Sequence, residues 1–259
     1  MIFLQIQLAV FVTLSLLRSQ ASVEERKTSL SLWGKVADLT TGLSHWKLKP
    51  EVFIPALQKL TVCLNVNLKV QGSTPSTIFM YRHPEVQYAE LGMGGKNGRL
   101  VVWLFGEEWT TQQLNLQLSR WYTLCLTWSH TRDRPALYIN GSLINITAAY
   151  TNTRPVTQQQ CCQLAPNGSL TLGVGHTIHD GNINIIPYSG MLGKISLFRM
   201  WGTERSEEEV TSLSCTEGDL VKWVWDNWDT VYCDPVCDTS LQCGEFALLQ
   251  NVKPLFLVY

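Results

Sequence analysis

The sequence predicts an all-β fold, an antiparallel sandwich of two sheets with one short helix, from three observations. Short alternating or apolar runs recur through the middle of the chain, separated by clusters of Gly, Asn, Pro and Ser. The pairs Asn97-Gly98 and Asn140-Gly141 mark tight hairpins, because both central positions of a type I′ turn need positive φ. One strong helix signal follows the last long apolar run, at Ser206.

The apolar runs predict where the strands lie, and the residues after them predict the helix. Strands are expected at residues 29–33, 60–70, 77–81, 100–105, 121–129, 136–139, 143–147, 170–174 and 190–201. Ser206 and Glu209 form a capping box, in which the serine accepts from the first turn and the glutamate reaches back. The helix is expected to end near Leu213.

The N-terminal segment has the pattern of a cleaved secretory signal over residues 1–21. An apolar run is followed by Ser19-Gln20-Ala21, a small-x-small cleavage pattern. The alternative is a signal anchor that stays in the membrane, since no Lys or Arg precedes the run. The run is nevertheless short for a span of about 20 residues. We therefore expect a secreted chain that is not inserted in a membrane.

Composition sets the class of the remaining chain and excludes some partners. A β-sandwich domain is expected over residues 22–229 and a cysteine-containing tail over residues 230–259. With 45% hydrophobic and 16% charged residues, the chain is unlike a disordered segment. A net charge of −1 gives no electrostatic footprint for nucleic acid or anionic lipid, so neither partner is predicted.

Cysteines and sequons predict an oxidising, extracellular environment. Behind a signal peptide, an even number of cysteines indicates disulfides before zinc. Cys161 and Cys162 are neighbours, and a ring between adjacent residues is strained, so each is expected to have a distant partner. N-glycosylation is expected at the sequons of Asn140, Asn145 and Asn167. The eight cysteines are Cys63, Cys125, Cys161, Cys162, Cys215, Cys233, Cys237 and Cys243.

Several segments together resemble the pentraxin fold, a laminin-G-like jelly-roll sandwich. The motifs are Leu60-Thr61-Val62-Cys63-Leu64, Tyr122-Thr123-Leu124-Cys125-Leu126-Thr127-Trp128, Leu137-Tyr138-Ile139-Asn140-Gly141, Leu170-Thr171-Leu172-Gly173 and the run from Gly190 to Trp201. They stand in the order of the family's strands, and the capped helix follows where the family has its helix. The resemblance implies a disulfide between Cys63 and Cys125, the family's single bridge.

A narrower resemblance follows the helix. The run Leu213-Ser214-Cys215-Thr216-Glu217-Gly218-Asp219-Leu220-Val221-Lys222-Trp223, continuing to Trp228, is similar to the end of the pentraxin module of G-group adhesion G-protein-coupled receptors. It implies a bridge between Cys215 and Cys243. The pairing of Cys161, Cys162, Cys233 and Cys237 stays open. The chain is then a stand-alone protein, a short isoform or a piece of a receptor.

Calcium-binding pentraxins use an Asp-Asn pair after an early hairpin and a Glu-Gln-Asp cluster beyond the Leu-Gly strand. This chain has Val174-Gly175-His176-Thr177 at the second place, without the acidic cluster. Because calcium needs many oxygen ligands, we predict no double calcium site, no other metal and no cofactor. A degenerate single site at Glu90 or Asp180 remains an alternative.

No residue pattern nominates an enzyme. His176 and His179, with Asp180 beside them, look like a general-base cluster, but the surrounding glycines favour a loop and a packing or solvated role. The run Gly92 to Gly95 looks loosely like a phosphate cradle and is interpreted as a hairpin turn.

The ten tryptophans suggest a sugar-binding platform. Trp103, Trp128 and Trp201 lie inside strands and are interpreted as core, while Trp109 is the better surface candidate. Trp223, Trp225 and Trp228 are expected to pack the tail against a sheet.

The leading functional prediction is an extracellular recognition or adhesion module that binds a protein or a matrix glycan without catalysis. The alternatives are a calcium-dependent soluble pentraxin of innate recognition, assembled as a ring, and an ectodomain fragment of an adhesion receptor. A glycosidase would need two carboxylates about 5–10 Å apart in a groove, and the sequence nominates no such pair. The ligand-binding residues and the oligomeric state stay open.

Overall fold

Two antiparallel sheets face each other across one core. The computed structural model describes residues 29–70, 75–132, 134–149, 163–213 and 216–241. The helix α1 is Glu207–Ser212, and short 3-10 helices span Trp225–Asn227 and Thr239–Leu241. The strands are β1 Lys35–Leu39, β2 His45–Leu48, β3 Lys59–Leu68, β4 Ser76–Arg82, β5 Leu91–Lys96, β6 Arg99–Leu104, β7 Glu107–Thr111, β8 Trp121–Ser129, β9 Ala136–Ile139, β10 Ser142–Ile144, β11 Ile146–Ala148, β12 Ser169–Leu172, β13 His176–His179, β14 Asn182–Ile185, β15 Gly193–Trp201, β16 Trp228–Val231 and β17 Pro235–Cys237.

The topology is that of a sandwich, as the sequence predicts. The seven-stranded sheet runs in the order β10-β9-β8-β3-β15-β1-β17, and the eight-stranded sheet runs β11-β7-β6-β5-β4-β12-β2-β16. A separate hairpin pairs β13 with β14. The core between the sheets is apolar and aromatic, and it includes the buried rings of Trp46, Phe79, Phe198, Trp223 and Trp228.

The longest strand, β3, organises the seven-stranded sheet. It pairs with β8 on one side and β15 on the other, and its register sets Cys63 opposite Cys125. The two cysteines form a disulfide. They lie outside the main core, in a small buried cluster with Tyr138, Trp201 and Val210 of α1. The disulfide and the helix thus share the outer face of this sheet.

The predicted helix and hairpins are present. Ser206 Oγ accepts from the Glu209 backbone N–H at 3.2 Å, and the glutamate carboxylate accepts from the Ser206 backbone N–H at 2.8 Å. Asn97 has φ 53° and Gly98 has φ 71° between β5 and β6. Asn140 and Gly141, between β9 and β10, have φ 50° and 80°. Both turns need positive φ at successive residues, as an Asn-Gly pair allows.

Three predictions about local structure are wrong. The strand expected at residues 29–33 is an isolated bridge at Ser31, and β1 begins at Lys35. The strand expected at 143–147 is divided into β10 and β11, which lie in different sheets. The run Gly92 to Gly95, interpreted as a turn, is part of β5, and the turn follows it. Glycine is accepted here because an indole from β6 covers the strand.

The β13–β14 hairpin is anchored by His176, which is fully buried. Thr171 Oγ1 donates its one proton to the Val174 carbonyl at 2.8 Å, so it accepts from His176 Nδ1–H at 2.9 Å. Burial, followed by the positive charges of Arg82 and His45, lowers the pKa of His176 to about 4.

The disulfide predicts a large loss of stability on substitution. Cys63→Ser and Cys125→Ser should each lower secreted yield sharply, because the bridge closes a loop of 62 residues. By chain entropy such a loop contributes about 4 kcal/mol. The double variant Cys63→Ser/Cys125→Ser should lose about as much as either single variant, since the same bond is removed. Wild-type yield, or a disulfide map joining these cysteines to others, would contradict the assignment.

His176 predicts that the fold weakens in acid. Its folded-state pKa lies below the unfolded value of about 6.5, so the unfolded chain binds the proton first. The contribution of His176 to the free energy of unfolding is therefore fully present above about pH 6.5, and it is lost as the pH falls towards 4. Between pH 7.5 and 5 the contribution of His176 to this loss should be about 2 kcal/mol, measured by urea unfolding. His176→Asn should reduce this slope, and the exposed His179→Asn should keep it; equal slopes in both variants would refute the account.

Candidate functional site: the outer face of the eight-stranded sheet

One row of side chains crosses the outer face of the eight-stranded sheet. Directly paired residues share a face, and the residues that alternate with this row belong to the main core. The row therefore points away from the core. In strand order from β7 to β16, its members are Glu108, Trp103, Gly92, Met80, Thr171, Lys47 and Asp229.

Trp103 occupies the β7 half of this row and lies on a shelf made by two glycines. A Cβ built at Gly92 would approach the Trp103 ring to 3.1 Å, and one at Gly94 would approach it to 2.6 Å. Only glycine lets the indole lie so close to β5. The ring is half-buried, and its Nε1–H donates to the Glu108 carboxylate at 3.4 Å. An indole held in one orientation is thus presented on the sheet.

The two tryptophans of this region exchange the roles that the sequence suggests. Trp103, interpreted as core, lies on the outer face, whereas Trp109, the surface candidate, packs against the main core. The reason is the register of β6 and β7, which pairs Trp103 with Glu108 and Val102 with Trp109. Val102 is a core residue, so its partner points inward.

The other half of the row is covered by the β13–β14 hairpin. His176 packs over Thr171, and its backbone N–H contacts the Met80 sulfur at 3.4 Å. Arg82, opposite Ser169 on this face, donates Nη1–H to the Gln87 carbonyl at 2.8 Å. Burial lowers the pKa of Arg82, although the group stays cationic at neutral pH. Lys47 and Asp229 pair at 3.6 Å beyond the hairpin.

The two candidate calcium ligands have other partners and lie in different surroundings. Glu90 is buried, and one carboxylate oxygen accepts from the Ala165 backbone N–H at 3.0 Å. Its burial raises the pKa, an effect opposed by the Ala165 N–H and by His83. Asp180 is a turn residue with an 84% exposed side chain, 3.3 Å from His179 Nε2. Within the described ranges, no three His, Cys, Asp or Glu side chains form a group that could hold a metal ion.

The histidines that looked like a base cluster are separated by the hairpin geometry. His176 is buried, whereas His179 is 81% exposed and contacts only Asp180 among the ion pairs found. Successive side chains of a strand point to opposite faces, and His176 and His179 stand three residues apart in β13. The two imidazoles therefore do not form one site. His176 has the packing role that the sequence favours.

The predicted modification sites lie on the surface, and the remaining cysteines are only partly described. Asn140, Asn145 and Asn167 are exposed. Cys237 is an exposed thiol in β17, and Cys233 is a half-buried thiol whose pKa is raised to about 11 by burial. Cys161, Cys162, Cys215 and Cys243 lie outside the described residues, so the expected bridge between Cys215 and Cys243 stays a prediction.

The C-terminal tryptophans divide into two groups. Trp223 and Trp228 are fully buried and stack with Trp46, as expected for residues that pack against a sheet. Trp225 is 37% exposed. In the part of the chain that the structure describes, no helix is long and apolar enough to cross a membrane.

Comparison with known proteins identifies the same module. The Pentaxin family model matches residues 40–233. The chain is 27% identical to mouse adhesion G-protein coupled receptor G4 over 220 residues, which is 83% of this chain and 7% of the receptor. It is 24% identical to the human receptor over 195 residues, 73% of this chain and 6% of the receptor. The chain therefore spans less than a tenth of these relatives.

Solved structures share the fold. A native heptameric SAP-like pentraxin from Limulus polyphemus superimposes with a TM-score of 0.63 at 17% identity, covering 83% of this chain and all of that one. The full extracellular region of zebrafish Gpr126/Adgrg6 gives a TM-score of 0.57 at 19% identity, covering 83% of this chain and 28% of that one. With a family model that covers most of its length, this chain belongs to the pentaxin (pentraxin) family.

Proposed function

We propose that this chain is an extracellular recognition or adhesion module that binds a protein or a matrix glycan without catalysis. The observation that carries the proposal is the half-buried Trp103, which lies on the outer face of the sheet on a glycine shelf beside Glu108. An indole face stacks on sugars and on apolar side chains, and it is rigid, so little entropy is lost on contact. Similarity to adhesion receptors supports an extracellular setting.

The same face supports binding by direct contact and not through calcium. The position of the family's acidic cluster is taken by the hairpin that carries the buried, uncharged His176. Glu90 is committed to the Ala165 N–H, and Asp180 is an exposed turn residue beside His179. A calcium ion needs six to eight oxygen ligands, several of them charged. These two carboxylates supply few of them.

Secretion is the second part of the proposal. The signal pattern of residues 1–21 and the exposed sequons at Asn140, Asn145 and Asn167 support it. The disulfide between Cys63 and Cys125 also favours an oxidising compartment. A piece of a longer receptor ectodomain would also be extracellular.

The second candidate is a calcium-dependent, ring-forming pentraxin. The observation that favours it is the fold shared with the heptameric Limulus protein, which is matched over its whole length. The two candidates differ in ion dependence and in size, so one preparation of the secreted chain distinguishes them.

The proposal predicts thermal stability that is independent of micromolar calcium. A site filled at a hundredfold excess over its dissociation constant would add about 2.7 kcal/mol and raise the melting midpoint by several degrees. We expect the melting midpoint in micromolar calcium to equal the midpoint in chelator. We also expect that calcium leaves the size measured by light scattering unchanged. A clear upward shift with two ions per chain by calorimetry, or a calcium-dependent ring, would establish the second candidate.

Trp103 predicts where the ligand binds. The probe is an array of immobilised matrix polysaccharides and matrix proteins, read with the labelled chain in chelator. Trp103→Ala should weaken every positive signal at least about tenfold, equivalent to about 1.4 kcal/mol, because the stacking face is removed. Trp225→Phe, a change at an exposed aromatic residue that is not a member of this row, is the control and should bind as wild type. Equal binding by both variants, with unchanged melting, would exclude this face.

A further inference from the structure

One spacing among the tryptophans is unique in this sequence. Ten tryptophans are present, and only Trp225 and Trp228, in the run Trp225-Asp226-Asn227-Trp228, stand three residues apart. A tryptophan followed three residues later by a second one is the acceptor pattern of the mannosyltransferases of the secretory pathway. Those enzymes attach mannose to a carbon of the first indole while the chain enters the secretory compartment.

The fold leaves room for a sugar on the first tryptophan of the pair. Trp225 is 37% exposed, whereas Trp228 is 1% and Trp223 is 0% exposed. Trp225 begins the 3-10 helix Trp225–Asn227, and its backbone carbonyl accepts from Lys49 Nζ at 3.2 Å. Its carbonyl is therefore hydrogen-bonded, while the residue stays partly exposed to solvent.

The neighbouring indoles could not carry the same group. Cδ1, the carbon that is modified, is bonded to Nε1 in the indole ring. Nε1–H of Trp223 donates to the Lys35 carbonyl at 3.2 Å, and that of Trp228 donates to the Lys222 carbonyl at 3.1 Å. A hexose beside either nitrogen would break a part-buried hydrogen bond and overfill the core in which the two rings are buried. The pattern and the burial thus select one residue.

We propose that Trp225 carries a mannose joined by a carbon–carbon bond to Cδ1 of its indole. The donor is a polyprenyl-phosphate-linked mannose. Cδ1 attacks the anomeric carbon of the sugar, the bond from that carbon to the phosphate oxygen breaks, and the polyprenyl phosphate leaves with the electron pair. Loss of the Cδ1 proton to a base restores the aromatic ring. No oxidant or reductant is needed.

The modification would replace part of an exposed apolar surface with hydroxyl groups. Trp225 is a large exposed aromatic beside a charged and polar turn, where Lys49, Asp226 and Asn227 lie. A sugar attached to Trp225 would cover part of this exposed indole. The inference rests on the proposed extracellular function in one respect, namely that the chain enters the secretory pathway.

The test is peptide mass spectrometry on the full chain secreted from cultured animal cells. The peptide containing Trp225 should carry the mass of one hexose, retained after N-glycosidase treatment, with cross-ring fragmentation that assigns it to Trp225. Cells in which the C-mannosyltransferase has been deleted should yield the peptide without the hexose. Trp225→Phe should remove the hexose, and Trp103→Phe should leave it in place.

The outcomes separate this inference from the proposed function. A secreted chain with N-glycans on its sequons but no hexose on Trp225 overturns the inference alone. A hexose on another tryptophan also overturns it. A chain retained without N-glycans overturns both, because it never met the donor. Modification lost in the deleted cells and in Trp225→Phe establishes the site.

Discussion

Burial of an aromatic cluster is the constraint on which the rest of the fold depends. Phe198 of β15 meets Phe79 of β4 at 5.3 Å and Trp228 of β16 at 5.5 Å, ring centre to ring centre, so the contacts join the two sheets. Trp46 and Trp223 stack at 5.0 Å. Each indole N–H also needs an acceptor. Trp46 uses the Cys233 carbonyl at 3.1 Å, which ties the C-terminal segment to the core. The pairing of β2 with β16 therefore goes together with the burial of these rings and with hydrogen bonds for their N–H groups.

The outer faces of the two sheets are covered differently. On the seven-stranded sheet, α1 covers the disulfide through Val210, and Arg205 lies 4.6 Å from the centre of the Trp201 ring. On that face, the helix covers the cluster around the disulfide. On the eight-stranded sheet, the β13–β14 hairpin, held by His176, packs on one half of the outer row. In the other half of the row, the side chains of Trp103 and Glu108 are half-buried. This difference is the reason that the proposed function places recognition on the eight-stranded sheet.

The sequence predicts the strands whose pattern is strong, and it fails where a single signal must decide. The strands β3, β8 and β15 are long and apolar, and their predicted positions are confirmed. β5 was missed because its glycines resemble a turn, although their purpose is to admit the indole from β6. Asp180-Gly181 is a type I′ signal that could have located the β13–β14 hairpin, since both residues have positive φ. The face of Trp103 and Trp109 depends on register, which no local pattern carries.

A sheet face that binds through calcium must bring carboxylates together, and their repulsion is relieved only when the ion is present. Here the corresponding segment is held by contacts of the neutral His176 with Thr171 and Met80. Trp103 is likewise oriented by Glu108 before any ligand arrives. On the proposed function, such a surface loses little entropy on binding, yet one indole offers a small contact area. When each site binds with modest affinity, adhesion depends on several linked modules that bind one surface together. Linking raises the effective concentration of each weak contact.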